Sequence, residues 1–221
     1  MKKHKFLNPY WKRFLRDLIV IIIVTTTFRS AVADWNDVPT GSMEPTILPG
    51  DRIFINKLAY DLKIPFTTYH IAEWGNPQKG DIVVLFSPED SKRLVKRVIG
   101  TPGDTIAMNN NKLTINGKTL PYELSQNESA NFITLWETIN GTKHAINIVP
   151  FINSRNTFRE IKIPNEKYFV MGDNRDNSHD SRFFGYVDRK VIIGSVNAIA
   201  LSFDLEKYYL PRWSRFFKGL D

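Results

Sequence analysis

Short runs of β-branched and aromatic residues, separated by turn-forming residues, recur through most of this 221-residue chain. Such runs are typical of β-strands, and few segments after residue 34 repeat with the period of an amphipathic helix. The sequence therefore predicts a mainly β fold with an antiparallel β-sheet core. The strand candidates are residues 52–56, 81–86, 94–99, 167–171 and 191–203.

Turn signals separate these candidates. Glycine precedes aspartate at 50–51, 80–81 and 103–104, where glycine supplies turn geometry and aspartate can cap the turn. Asn-Gly pairs at 116–117 and 140–141 predict hairpins. Residues 105–160 are rich in Asn, Thr and Ser, and we expect them to form a β-rich insertion or a small second domain. Residues 35–104 and 161–221 then make up the core.

A basic segment followed by an apolar one begins the chain. Residues 1–33 carry +6 of the formal net charge of +7, which leaves +1 for residues 34–221. Because the β-rich part is nearly neutral, the pI near 9.5 does not indicate nucleic-acid binding. We expect residues 18–34 to form one transmembrane anchor, with residues 1–17 in the cytoplasm and the rest outside it.

A cleavable secretory signal is the alternative interpretation of this segment. Ala31-Val32-Ala33 is a small-residue sequence of the type that precedes a cleavage site. Arg29 and the bulky β-branched run count against cleavage. Both interpretations place the β-rich part outside the cytoplasm.

The residue types and motifs that the chain lacks exclude several classes of catalytic and metal-binding site. The chain has no cysteine, which excludes a disulfide framework, a thiolate metal site and a cysteine nucleophile. It contains no zinc-protease, Gly-x-Ser-x-Gly, Walker A or Rossmann motif, and Arg175 and Ser178 disrupt an EF-hand pattern starting at Asp173. We therefore expect no cofactor and no metal.

Three polar positions stand out within this pattern. Ser42 follows Gly41 in a turn rich in glycine and proline, and residues 172–182 form the densest cluster of polar side chains. Lys96 lies in an apolar strand candidate, where strict alternation places it on the face of Leu94 and Val98. Taken singly, a turn serine, an edge-strand lysine and a solvated loop are the ordinary structural interpretations.

Together, the segments GSMEPT (41–46), KRVIGTPGD (96–104) and GDNRDNSHDSR (172–182) resemble the motif set of bacterial type I signal peptidases, also called leader peptidases. Enzymes of that family use a serine–lysine dyad to remove signal peptides from exported preproteins at the outer face of the membrane. By position, the resemblance implies Ser42 as nucleophile and Lys96 as general base. It also implies that Ser178 orients the base and that Thr40, where many relatives have serine, helps to bind the oxyanion.

A lysine base requires a special environment, because only the neutral amine accepts a proton. The pKa of lysine must fall from about 10.4 toward neutrality, and burial among apolar residues lowers it while a neighbouring carboxylate opposes the change. We therefore expect the charged residues around 172–182 to shape the loop by pairing with one another. These structural residues are Asp173, Asp176 and Asp180, with Arg97, Arg175 and Arg182 as counter-ions.

The resemblance also implies how substrate binds. An extended peptide would add to a strand edge, and small residues one and three positions before the scissile bond would enter shallow apolar pockets. By position in the motifs, these pockets are lined by Val38, Met43, Leu94 and Val95.

The partners that the resemblance implies are preprotein signal peptides and the lipid bilayer. The location that it implies is the bacterial inner membrane, with a single span and the catalytic part on the periplasmic side. Two alternatives stay open: a specialised peptidase for one pilus or secretion substrate, and a non-enzymatic, anchored extracytoplasmic binding protein.

Overall fold

The computed structural model describes residues 9–64, 67, 69–128, 131–150 and 155–220. The helices are α1 (Pro9–Ala31) and α2 (Ser181–Phe184). The strands are, in chain order, β1 (Ala33–Asp37), β2 (Asp51–Asn56), β3 (Asp61–Lys63), β4 (His70–Glu73), β5 (Ile82–Phe86), β6 (Arg93–Gly100), β7 (Thr105–Asn109), β8 (Lys112–Ile115), β9 (Lys118–Thr119), β10 (Tyr122–Glu128), β11 (Ile133–Ile139), β12 (Thr142–Ile148), β13 (Phe158–Lys162), β14 (Lys167–Met171), β15 (Val187–Asp188), β16 (Ile192–Asp204), β17 (Leu210–Pro211) and β18 (Lys218–Gly219).

The strands form antiparallel sheets, which confirms the mainly β prediction. The largest sheet has the order β1-β2-β16-β5-β6-β14-β15, and β17 and β18 also pair with β16. Smaller sheets have the orders β10-β11-β12, β13-β7-β8-β9 and β3-β4. Each of the five strand candidates overlaps a strand of the largest sheet. The long β16 contacts both β2 and β5, so it joins the two halves of this sheet.

The three Gly-Asp turns share one hydrogen-bonding pattern. In each, the aspartate carboxylate accepts the backbone N–H of the residue three positions earlier: Leu48 to Asp51 at 2.8 Å, Gln78 to Asp81 at 2.9 Å and Thr101 to Asp104 at 2.9 Å. The glycine between them has a positive φ in all three turns, which a side chain would oppose. The carboxylate therefore caps the turn that leads into each following strand.

The Asn-Gly pairs form tight hairpins as predicted. Ile115 pairs with Lys118 across Asn116-Gly117, and Ile139 pairs with Thr142 across Asn140-Gly141. All four turn residues have positive φ, the geometry that two-residue hairpins require.

The strands of residues 105–160 pack against the largest sheet through a shared hydrophobic core. Ile106, Met108 and Leu113 are buried in one cluster with Ile99 of β6 and Phe169 of β14. Each fully buried side chain of this size contributes about 1.5–3 kcal/mol to folding. In the same region, β12 lies beside the polar segment 172–182, where Asn147 forms a β-bridge with Asn174, and β11 is the next strand of that sheet.

Helix α1 precedes the sheets and is anchored to them at its C-terminal end. It ends at Ala31, earlier than the expected boundary at 34, because residues 33–37 pair with β2. Asp34 is buried there and accepts hydrogen bonds from Arg29 at 2.7 Å and Arg93 at 3.4 Å. Within the part of the chain that the structure describes, no helix combines the length and the apolar character needed to cross a membrane.

Candidate active site

Ser42 lies in the turn-rich segment between β1 and β2. The buried side chains of Val38, Met43 and Ile47 hold the segment against the hydrophobic core. Asn174 donates two hydrogen bonds to the same segment. Its backbone N–H donates to the Ser42 carbonyl at 3.1 Å, and its side-chain N–H donates to the Gly41 carbonyl at 3.0 Å. The backbone around Ser42 is therefore held by the polar segment 172–182.

Lys96 lies on β6 opposite Val83 of β5, on the sheet face that also carries Leu94 and Val98. Only 2% of its surface is exposed. Its ammonium nitrogen, Nζ, lies 2.8 Å from Ser42 Oγ and donates a hydrogen bond to it. The structure thus brings together two side chains that are 54 residues apart in the sequence.

Burial of the Lys96 amine lowers its pKa from 10.5 to about 8. Desolvation of the charged form is the main cause. The Asp180 carboxylate opposes this change, the Arg182 guanidinium reinforces it, and Asp173 opposes it more weakly. About a tenth of the amine is therefore neutral at pH 7, far more than at the ordinary pKa of lysine, and this fraction can accept a proton from the serine hydroxyl.

Two of the expected ion pairs are present and fully buried. Arg97 binds Asp173 through two hydrogen bonds of 2.9 and 2.7 Å, and Arg182 binds Asp180 through two of 2.8 Å. Burial alone would raise the pKa of both carboxyl groups, but the guanidinium partners hold each pKa below its usual value. These carboxylates are neutralised locally, which limits their effect on Lys96.

Arg175 pairs differently from the expectation. It binds Glu137 of β11, with Nη1 3.1 Å from Oε2, and so lies against the insertion rather than against an aspartate of its own loop. Asp176 accepts the backbone N–H of Val149 at 2.8 Å. The physical reason is the packing of β11 and β12 against this loop, which brings a carboxylate within reach of Arg175.

Ser178 is buried close to Gly172 but is not hydrogen-bonded to Lys96. Its hydroxyl makes no hydrogen bond of acceptable geometry with any residue that the structure describes, although it contributes to the low pKa of Asp180. A Cβ added at Gly172 would clash with both Ser178 Oγ and the Ser42 carbonyl. At Gly172 the loop therefore approaches the Ser42 turn too closely to admit a side chain.

The remaining predicted site residues divide between two sheet faces. Val38 and Met43 are buried in one cluster, against which Val95 packs. Leu94 packs against a different cluster that contains Tyr60, Val83 and Val98. The structure therefore brings three of the four proposed pocket residues together, because successive residues of β6 point to opposite faces. Thr40 is exposed, two residues before Ser42.

Two residues of this region were missed by sequence reasoning. Asn174, which holds the Ser42 backbone, is one of several polar residues in its segment and carries no distinguishing signal. Glu137 does carry one: strict alternation along β11 places it on the same face as Leu135 and Ile139. A charged residue at such a position needs a buried partner.

Comparison with known proteins identifies the family. Residues 11–201 match the family described as "Signal peptidase, peptidase S26". "Signal peptidase I" of Pseudomonas aeruginosa is 33% identical in an alignment of 231 positions, gaps included, that covers 97% of this chain and 80% of that protein. The chain belongs to the peptidase S26 family. Membership makes the protein a serine protease, a hydrolase.

Other members of the S26 family show similar levels of identity. "Signal peptidase I" of Buchnera aphidicola is 33% identical over 90% of this chain and 78% of its own length. "Signal peptidase I P" of Bacillus subtilis subsp. natto is 36% identical over 75% of this chain and 74% of its own length. A crystal structure of a signal peptidase I from Enterococcus faecalis is 30% identical, with a TM-score of 0.36 over 55% of this chain and 97% of that one.

Proposed function

We propose that this protein cleaves N-terminal signal peptides from exported preproteins, with Ser42 as the nucleophile and Lys96 as the general base. The observation that carries the proposal is the 2.8 Å hydrogen bond between Lys96 Nζ and Ser42 Oγ at a buried amine. A serine hydroxyl attacks an amide only when a neighbouring base accepts its proton. Lys96 is placed to be that base.

The proposed reaction has two stages. In the first, Ser42 Oγ attacks the scissile carbonyl carbon while its proton moves to the neutral Lys96 amine. The resulting Lys96 ammonium then protonates the departing amine of the mature protein, which leaves an acyl-enzyme ester on Ser42. In the second stage, Lys96 accepts a proton from a water molecule as that water attacks the ester carbonyl carbon. The bond to Ser42 Oγ then breaks, the Lys96 ammonium returns the proton to Ser42 Oγ, and the signal peptide leaves with a new carboxylate.

The negative charge that forms on the carbonyl oxygen requires donors that are already in place. We assign this role to the backbone N–H of Ser42 and the hydroxyl of Thr40. The exposed Thr40 side chain rotates about χ1 to reach the oxygen, and its β-branch restricts that rotation to few rotamers. Ser178 Oγ, which is buried beside the loop, turns toward Lys96 and orients the neutral amine.

The substrate site is proposed to lie between two strand edges. In the described chain, β1 is the last strand on its side of the largest sheet, and β14 pairs with β6 only at 97, 98 and 100. Within the described ranges, the part of β6 before residue 97 is unpaired on that side. Its Arg93 side chain donates a hydrogen bond to the side chain of Asn36 on β1 at 2.9 Å, so the two edges lie within side-chain reach of each other. A peptide that added there would place small side chains against Val38, Met43 and Val95, consistent with cleavage after small residues of the A-x-A type.

We also propose that α1 holds the enzyme at the membrane with its N-terminus in the cytoplasm. The apolar side chains of residues 18–24 are exposed along the helix, and Lys12, Arg13 and Arg16 precede them. The positive-inside rule then places the sheets on the other side. Because the chain has no cysteine, single introduced cysteines at Arg13 and Lys118 report the topology. A membrane-impermeant maleimide should label Lys118→Cys in cells with a permeabilised outer membrane, and Arg13→Cys only after lysis.

The enzyme assay uses full-length protein in detergent with a purified preprotein. We expect the wild type to produce the mature protein and Ser42→Ala and Lys96→Ala to produce none. His179→Ala is the matched control, because the His179 side chain is exposed and its Nε2 lies 2.8 Å from Glu89, with no hydrogen bond to Ser42 or Lys96 among the described residues. Cleavage by Lys96→Ala but not by His179→Ala would indicate a serine–histidine mechanism, and no cleavage by the wild type would favour a binding protein.

A further inference from the structure

A buried ion pair joins the insertion to the loop beside the active site. Glu137 of β11 and Arg175 of the 172–178 loop both have fully buried side chains. Arg175 binds both carboxylate oxygens of Glu137, and the Tyr122 hydroxyl donates to one of them. His144 Nε2 lies 3.1 Å from the other. Burial alone would raise the pKa of Glu137, but Arg175 and His144 together outweigh burial, so the carboxyl group stays charged.

The two residues that precede Arg175 contact the Ser42 turn and the insertion. Asn174, which precedes Arg175, donates hydrogen bonds to the carbonyls of Gly41 and Ser42. The backbone carbonyl of Asp173 accepts the backbone N–H of Asn147 from β12 at 2.9 Å. The Arg175 carbonyl accepts a hydrogen bond from Arg182, whose charge lowers the pKa of Lys96. A displacement of Arg175 would therefore reach both members of the proposed dyad.

A buried ion pair is a poor source of folding energy, because desolvation of both charges offsets their attraction. It is strongly directional, however, since a bidentate guanidinium–carboxylate contact fixes distance and orientation together. The loop that Arg175 belongs to has no long strand pairing to fix it, and its 175–177 turn is a single short helical turn. The pair is thus suited to hold the loop in one position.

We propose that Glu137 is a positioning residue for the peptidase reaction. Through Arg175 it holds Asn174 against the Ser42 backbone, so the insertion is part of the machinery that aligns Ser42 with Lys96. This inference rests on the proposed function, because it assigns a positioning residue to the proposed Ser42–Lys96 site.

The decisive experiment compares Arg175→Met, Glu137→Met and the double variant Glu137→Met/Arg175→Met. Each single variant leaves one charge buried without its partner and should unfold at a lower temperature. The double variant replaces the pair by apolar side chains of similar size and should recover a Tm above those of both single variants, although Tyr122 and His144 still lose the carboxylate that they contact. We expect its kcat to stay at least about ten-fold below wild type with KM little changed, because misplacement of the nucleophile slows chemistry rather than binding. A double variant with wild-type kcat would show that the pair only stabilises the fold and would overturn the proposal.

Glu137→Gln provides a second test that does not depend on the fold of the Met variants. It keeps the shape of the side chain and removes its charge. We expect a lower Tm, because the buried Arg175 keeps its charge without a counter-charge. We also expect a lower kcat and faster hydrogen exchange of the Asn174 amide, which donates to the Ser42 carbonyl, at temperatures well below that Tm. Unchanged kcat together with unchanged Asn174 exchange would overturn the proposal.

The matched control is Glu123→Gln on β10. Glu123 pairs with Lys143 at 2.6 Å in the same small sheet, but both side chains are largely exposed. We expect wild-type kcat and wild-type Asn174 exchange for this variant. The exchange measurement also separates the two proposals. If the wild-type enzyme cleaves no preprotein, the proposed function fails. The effect of Glu137 on the position of Asn174 is still tested by the hydrogen-exchange rate of the Asn174 amide.

Discussion

Lys96 and Arg97 are neighbours on β6, yet they differ in what they face. Arg97 binds the Asp173 carboxylate through two hydrogen bonds, whereas Lys96 binds the hydroxyl of Ser42 and, among the described residues, forms no ion pair. Alternation along the strand sends the two side chains to opposite faces of the sheet. One cation is therefore neutralised by an anion, and the other is left in surroundings that favour loss of its proton.

The first prediction concerns the pH dependence of cleavage. The pKa of Lys96 is lowered to about 8 by burial, and only the neutral amine acts as a base. The value of kcat/KM should therefore rise with pH and level off above an apparent pKa of about 8. Rates of preprotein cleavage measured from about pH 6 to about pH 10 check this. A profile that still rises steeply at the top of that range would mean that the amine is not desolvated in the working enzyme.

The second prediction concerns stability. The pKa of Lys96 is about 8 in the folded protein and 10.5 without burial, so the unfolded chain binds more protons between these values. The cost of burying the ammonium is fully present below pH 8 and disappears as the pH rises to 10.5. Lys96→Met should therefore raise the free energy of unfolding at neutral pH by up to about 3 kcal/mol. Urea unfolding at several pH values tests this, and the gain should shrink between pH 8 and 10.5.

A suitable control for Lys96→Met is Lys118→Met on β9, where the side chain is exposed. Its unfolding free energy should stay within about 0.5 kcal/mol of the wild type at every pH. Equal effects of the two substitutions would show that burial of the amine has no cost.

The third prediction concerns Gly172. A methyl group there would clash with the Ser42 carbonyl and Ser178 Oγ, so Gly172→Ala should push the loop away from the nucleophile. A displacement of about 1 Å can reduce kcat roughly 100-fold, and we expect a loss of that order. Gly103→Ala is the control, since its φ is +88° and nothing lies within 4 Å of an added Cβ. That variant should lose about 1 kcal/mol of stability through backbone strain and keep its kcat.

The fourth prediction concerns Thr40. If its hydroxyl binds the oxyanion, Thr40→Val removes the donor without changing the shape of the side chain. We expect kcat to fall by about 100-fold or more with little change in KM. Thr40→Ser keeps the hydroxyl and removes the methyl group that restricts its rotation, and should match or exceed wild-type kcat. Equal activity of the Val and Ser variants would assign the oxyanion to other donors.

Local chemistry accounts for the parts of the fold that could be predicted. The Gly-Asp and Asn-Gly turns depend on short-range hydrogen bonds and positive φ, which residue type alone indicates. The contact between Ser42 and Lys96 depends on the path of the whole chain, and only the resemblance of three motifs suggested it. The Glu137–Arg175 pair spans 38 residues and has no motif, so the partner of a buried charge could not be found without the sheet packing. Leu94 and Val95 were expected in one pocket on the resemblance alone. They lie against different clusters, because adjacent residues of a strand point to opposite faces of the sheet.

Asp34 links helix α1 to the sheets, because basic side chains from three different segments contact its carboxylate. It receives Arg29 from α1, Arg93 from β6 and, at 3.4 Å, Lys57 from the segment after β2, while Lys57 also binds the carbonyls of Arg29 and Ser30. A flexible linker would let the distance between the sheets and the helix vary. These contacts oppose movement of α1 relative to the sheets, so Ser42 stays at one distance from the C-terminal end of α1. A bound peptide that runs from the level of that helix end to Ser42 therefore spans a fixed length.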